Sequence, residues 1–253
     1  MEEVDKEKEK LLQNSKYGST EEIRKKTLEQ ASLTSHVLNL LGCIIGVLSY
    51  FDVFVDWLVL LAWFYLAAIV IYSFWYKGLI VIGPTNKESP YESHFLGLFI
   101  GAMWLMFLSF DFNIIDYSYA LYLTLIFSAI IMILVFFATK ELKGESAIYK
   151  IVNVFSVSLS LGCFVFGLII SYNCIYDSSE KAVAYYETVV VNKYNTGGKD
   201  SQDILSVNPW GDEKEENDVL VDKETFDKVN AGDTVGIYVE NGAFGIHWYH
   251  AVH

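Results

Sequence analysis

Four runs without a single Asp, Glu, Lys or Arg dominate this chain: Trp57–Tyr76, Phe95–Phe110, Tyr117–Thr139 and Ile151–Tyr176. A fifth lies before Asp52. Crossing a bilayer takes about 20 mostly apolar residues in a helix, and lipid offers no partner to an open backbone. Five helical spans are therefore expected over residues 35–176. Hydrophobic residues make up 53% of the 253, charged residues 19%, and the mean hydropathy is +0.32. That is more apolar surface than one water-soluble core can hide, and it excludes a soluble enzyme.

The net charge of −13 is unevenly spread. Residues 1–34 carry eight acids and seven bases, 35–176 eight and five, and 177–253 fifteen and six. An acidic tail repels phosphate backbones, so nucleic acid is not an expected partner. Lys and Arg alternate from loop to loop. Seven precede the first run, Lys77 and Lys87 separate the second from the third, and Lys140, Lys143 and Lys150 separate the fourth from the fifth. The other two short loops have none, so twelve bases oppose zero. The positive-inside rule then predicts a cytoplasmic N-terminus and, after five spans, a tail outside an inner (plasma) membrane. Met1–Lys6 lacks a basic stretch followed by an apolar one, so no signal peptide is expected.

Within 1–34, Ser19 followed by Glu22 reads as a capping box, and Glu21 and Glu22 stand four residues before Lys25 and Lys26. A charged, solvated cytoplasmic helix ahead of the first span is expected. Cys43, Cys163 and Cys174 form no CxxC and read as small apolar filler, with Cys174 at a helix end as a free thiol.

No ionisable acid or base lies mid-span, and His36 and His94 fall near the cytoplasmic ends. That counts against a proton-coupled pump and an intramembrane hydrolase. Asn39, Asn153 and Ser156, Ser158 and Ser160 read as hydrogen-bonding groups between helices. Gly42 with Gly46, and Gly97 with Gly101, form two GxxxG faces on which backbones can approach closely, within the chain in preference to between chains. Leu48-Ser49-Tyr50 through Asp56-Trp57 echoes Leu108-Ser109-Phe110 through Asp116-Tyr117, a duplicated hairpin. Asp52, Asp56, Asp111 and Asp116 in those loops are a candidate divalent-cation site, although Asp is also the ordinary turn and cap residue of wet loops.

After Tyr176 the pattern changes to short alternating runs. Tyr185–Tyr194, Ile204–Val207, Val219–Val221, Thr234–Glu240 and Phe244–Val252 read as strands. Asn195–Gly198 and Asn241-Gly242 supply turns, and Asp222 caps a short helix ending near Val229. The fold class expected is thus a five-span helical bundle (35–176) carrying a small all-β, barrel-like or rolled-sheet domain (177–253). Pro209-Trp210-Gly211, Gly232-Asp233-Thr234-Val235 and Gly242-Ala243-Phe244-Gly245-Ile246-His247-Trp248-Tyr249 resemble a "PWG … GD-V … GA-G-WY" tail of uncharacterised bacterial multi-pass membrane proteins. The resemblance covers roughly the last 50 residues. It implies a bacterial envelope protein and no catalytic residue, and His247 stands where Pro is expected. Trp210 and Trp248 are read as core anchors, with sugar stacking as the lesser reading.

His247, His250 and His253 form an HxxHxxH tail that can in principle hold Zn²⁺ or Cu²⁺. In a strand His247 and His253 share one face and His250 the other. No cofactor is expected. GxSxG, GxxxxGK[ST] and HExxH are missing from the sequence. The first reading is a non-enzymatic polytopic membrane protein whose outer β domain binds an envelope partner or ligand, or a second copy. A transport or channel subunit working as an oligomer is the second, and a membrane enzyme using the outer aspartates the third.

Overall fold

A computed structural model describes residues 9–51, 55–85, 91–138, 147–178, 182–197 and 201–252. Asp52 and His253, and Lys140 and Lys143, lie outside them. The chain divides into two compact units, one from Met1–Leu108 with Tyr122–Leu168, the other from Ser109–Leu121 with Ile169–His253.

The first unit is helical. Its elements are α1 (Glu21–Tyr50), α2 (Val55–Trp75), α3 (Phe95–Leu108), most of α4 (Ser118–Ala138) and most of α5 (Ala147–Ile175). Among the described residues four of these are long and apolar enough to cross a membrane: α1, α2, α4 and α5. The third expected span is shorter. Regular helix in α3 stops after 14 residues, where Ser109–Asp111 tightens into a 3₁₀ turn. The charged lead-in is not a separate surface helix, because α1 runs unbroken from Glu21 through residue 34 into the first apolar run. Thr20, one residue after the expected Ser19, caps it by accepting from the Ile23 N–H at 3.3 Å.

Nor is the lead-in merely solvated. Leu11 and Tyr17 pack with Ala31 of α1 against Tyr76, Leu79 and Ile80 of the α2–α3 connection. Lys16 and Lys77 each donate to the other's carbonyl oxygen, at 2.6 and 2.8 Å. In that connection β1 (Ile80–Val81) pairs in parallel with β2 (Glu92–Ser93).

Small residues bring α1, α3 and α5 together. A methyl group on Gly42 would strike the Gly97 backbone, one on Gly97 would strike Asn39, and one on Gly167 would strike the backbone at Leu105. The two GxxxG faces therefore meet inside the chain. Asn39 completes the contact: its side-chain oxygen accepts from Gly97 N–H at 2.9 Å and its amide donates to Ser93 O at 2.7 Å. A first-turn N–H of α3, which has no partner within its own helix, is thus capped from another helix. Asn153 on α5 similarly donates to Pro84 O at 3.0 Å.

The second unit is a nearly closed antiparallel sheet. Its strands are β3 (Asn113–Ile114), β4 (Ala184–Asn195), β5 (Asp203–Val207), β6 (Asn217–Val221), β7 (Thr234–Glu240) and β8 (Trp248–Val252), in spatial order β3-β8-β7-β4-β5-β6. Five arise where alternation predicted strands, but β8 starts at Trp248 and not at Phe244, because Gly242–Gly245 turns, Gly245 N–H donating to Gly242 O at 3.0 Å. The helix α6 (Lys223–Lys228) is capped as expected, Asp222 accepting from Thr225 N–H at 2.7 Å. Val190, Leu205, Val207, Trp210, Val219, Val229, Val235 and Ile237 fill the interior.

Candidate functional site

The sixth strand comes from the α3–α4 connection, more than 60 residues before the tail, and it decides how the barrel is built. Asn113 pairs with Tyr249 and Ile114 with Trp248, so β3 adds to β8. Among the described residues the opposite edge, β6, has no further strand to pair with. Instead the Asn113 side chain takes that role: Nδ2 donates to Leu220 O at 2.9 Å and Oδ1 accepts from Leu220 N–H at 3.0 Å. One carboxamide thereby reproduces the two hydrogen bonds of a strand neighbour and joins the first wall element to the last. Nearby, Gln202 Nε2 donates to Asp111 Oδ1 at 3.1 Å. The compact unit thus extends beyond the tail 177–253.

A second junction lies where α5 ends. Asn173, fully buried, accepts from Phe244 N–H at 2.9 Å and Ile246 N–H at 3.3 Å, and donates to Ile246 O at 2.8 Å. Its backbone oxygen accepts from Ala243 N–H at 2.9 Å. Two residues past the helix, Asp177 Oδ2 accepts from Gly242 N–H and from Trp248 Nε1, both at 3.0 Å. Gly242 has φ +71°, and a methyl group there would collide with the Asn173 amide. The glycine is required twice over, for its backbone and for the close approach. The Gly242–Trp248 stretch of the tail motif is therefore the clasp that grips the helix end.

Trp210 and Trp248 part company. Trp210 is buried, packs on Tyr186 and Tyr249, and donates to Asn217 Oδ1 at 3.0 Å. Trp248 is not a core anchor. Strand alternation turns Tyr249 and Ala251 inward, leaving Trp248 on the other face, against Phe112 and His250. Burial pushes the Tyr249 hydroxyl up to about 12.

The candidate metal ligands take separate paths. Asp116 Oδ1 accepts from Ser118 N–H at 2.8 Å as α4 begins, and this bond holds its carboxyl below the ordinary value. Asp111 meets Gln202, and Asp56 is exposed in the first turn of α2. His247 Nε2 lies 3.2 Å from Asn241 Oδ1, while the His250 ring stacks on Tyr238. Among the described residues no group of three His, Cys, Asp or Glu side chains gathers as a ligand set. Cys174 is buried, 5% exposed, and so is not an accessible thiol.

Sequence reasoning missed Asn113, Asn173 and Asp177. A polar Asn one turn from the end of an apolar helix was the available signal for Asn173. Nothing local marks Asn113, whose partner is 107 residues away. The chain was compared with family models, curated proteins and solved structures, and it matches none of them.

Proposed function

We propose that the chain is a polytopic protein of a bacterial inner membrane, in which α1–α5 cross the bilayer and the β barrel lies outside as a module for contacting an envelope partner. The observation that carries this reading is how the barrel is built. Asn113 builds the α3–α4 connection into the barrel wall, and Asn173 with Asp177 clasps the end of α5 to the β7–β8 loop. A wall closed by such hydrogen bonds holds its outer side chains in a fixed arrangement, which suits contact with a partner. The twelve-to-zero distribution of Lys and Arg supports a cytoplasmic N-terminus. The tail's likeness to bacterial multi-pass proteins supports the envelope setting. At 14 residues, α3 rises about 21 Å, and a short span is accommodated by local thinning of the bilayer.

Orientation is tested by impermeant maleimide labelling of Glu215→Cys, an exposed site on the β5–β6 loop, in a chain lacking its native cysteines. Labelling is expected once the outer barrier is opened, with Ser19→Cys protected until the inner membrane is lysed. The reverse pattern would put the barrel inside and end the proposal. Photocrosslinking from the barrel surface in cells then tests partner contact: recurrent protein adducts support it, and none from any exposed position rejects it.

A further inference from the structure

The barrel has a complete interior, yet one outer face is not polar. On β4 the residues Tyr186, Thr188 and Val190 turn inward or are covered, while Val183 just before the strand, and Tyr185 and Val189 on it, lie outward and are 55%, 50% and 38% exposed. Val191, at the register shift that follows Val190, adds 41%. Polar residues belong on the solvent side of a half-buried strand, so an apolar row there marks a contact surface. It continues sideways. Tyr185 lies opposite Tyr238 with ring centroids 4.8 Å apart, and Tyr238 lies opposite His250 with centroids 5.6 Å apart. The Tyr185 ring also covers Gly236, where a side chain would displace it.

Charge selects the occupant. The face carries Glu187, exposed between Tyr185 and Val189, and Glu240. Among its described residues there is no Lys or Arg, and the tail as a whole has fifteen acids to six bases. A second copy of this acidic domain or an anionic lipid surface would be repelled, and a hydrophobic cation would not. We infer that the outer face of β4–β7–β8, centred on Tyr185, Glu187 and Val189, docks a basic amphipathic peptide segment, its apolar side chains on the Val–Tyr row and its cations against Glu187. This names the partner class of the contact module proposed above and rests on that reading.

The test uses the full chain in phosphatidylcholine nanodiscs and two synthetic probes, a peptide of alternating leucine and lysine and its leucine–glutamate counterpart. The lysine peptide is expected to bind and the glutamate peptide not. Tyr185→Ser with Val189→Ser is expected to weaken binding at least about tenfold, and Glu187→Lys likewise, with the amide-exchange pattern of the barrel core unchanged in both. Glu215→Lys with Glu216→Lys, on the β5–β6 loop, should leave affinity within about twofold. Equal binding of the two peptides overturns the inference. So does a loss confined to the loop variant, which would mean bulk acidity alone. Quenching of a fluorophore at Val191→Cys by lipid-borne quenchers would show the bilayer as occupant and also overturns it. Protein adducts from a photocrosslinker at Val191 in cells, without peptide binding in the nanodisc, would reject the basic class while leaving the contact module standing.

Discussion

Replacing Asn113 by Ala removes a side chain that joins β3 to β6. Two hydrogen bonds disappear, from Nδ2 to Leu220 O and from Leu220 N–H to Oδ1. Each is worth about 0.5–1.5 kcal/mol net, and a backbone group left without a partner costs about 1–3 kcal/mol. Leu220 is only half-buried, so water replaces part of the loss, and about 2 kcal/mol is expected at this seam. By the rule of tenfold per 1.4 kcal/mol, that is a roughly 30-fold faster opening. The assay is amide hydrogen exchange of the full chain in nanodiscs. Leu220 N–H should lose about that much protection, while Val190 N–H, which donates to Asp233 O elsewhere in the barrel, should keep its own. Asn113→Asp retains an acceptor for Leu220 N–H but turns an oxygen toward Leu220 O, so it should rescue little. Unchanged exchange at Leu220 in the Ala variant would refute the seam. By the same reasoning, residues 177–253 expressed alone lack β3 and Asn113 and should exchange faster along β6 and β8 than the full chain does, the reverse of what a self-sufficient tail would show.

Three further changes test other joints. Gly97→Val drives a branched side chain into Asn39 across the α1–α3 crossing and should cost about 1–3 kcal/mol or more, read as a lower melting temperature and reduced monodisperse yield in detergent. Gly242→Ala imposes left-handed backbone strain at φ +71° and displaces the Asn173 amide, so the 242–247 loop should become protease-sensitive while the interior around Leu205 and Val235 keeps its protection. At the α6 cap, the Thr225 N–H holds the Asp222 carboxyl below its ordinary value, so its contribution is present above about pH 4 and is lost as the pH falls through the lowered folded value. Asp222→Asn keeps the cap without the titration, and the Thr225 amide resonance should then no longer move with acid.

Much of the architecture was legible because it is written in short-range pattern. Charge-free runs marked the apolar helices, alternation marked five strands, though the last begins at Trp248 and not at Phe244, and Asp222 and Asn241-Gly242 announced a cap and a turn. The glycine pairs announced a close helix crossing, and Gly42 and Gly97 meet there. The candidate ligands were less legible, because residue type alone does not say whether Asp111, Asp116 or His250 converge. Asp111 meets Gln202 from 91 residues away, Asp116 bonds Ser118 two residues on, and the His250 ring stacks on Tyr238.

What the sequence by itself determined is therefore the list of elements and their faces, since apolar period and turn chemistry act over a few residues. Only the tertiary structure decided that a dipeptide from a helical hairpin becomes a strand of the tail's sheet. The same holds for Asn113 closing the seam at Leu220, and for Trp248 facing outward while Trp210 is buried. The physical reason is separation. Asn113 and Leu220 are 107 residues apart, and Asn173 and Ile246 are 73 apart, so no local propensity registers their pairing. An unpaired strand edge and an uncapped loop find their hydrogen bonds wherever folding brings a donor and acceptor of the right spacing.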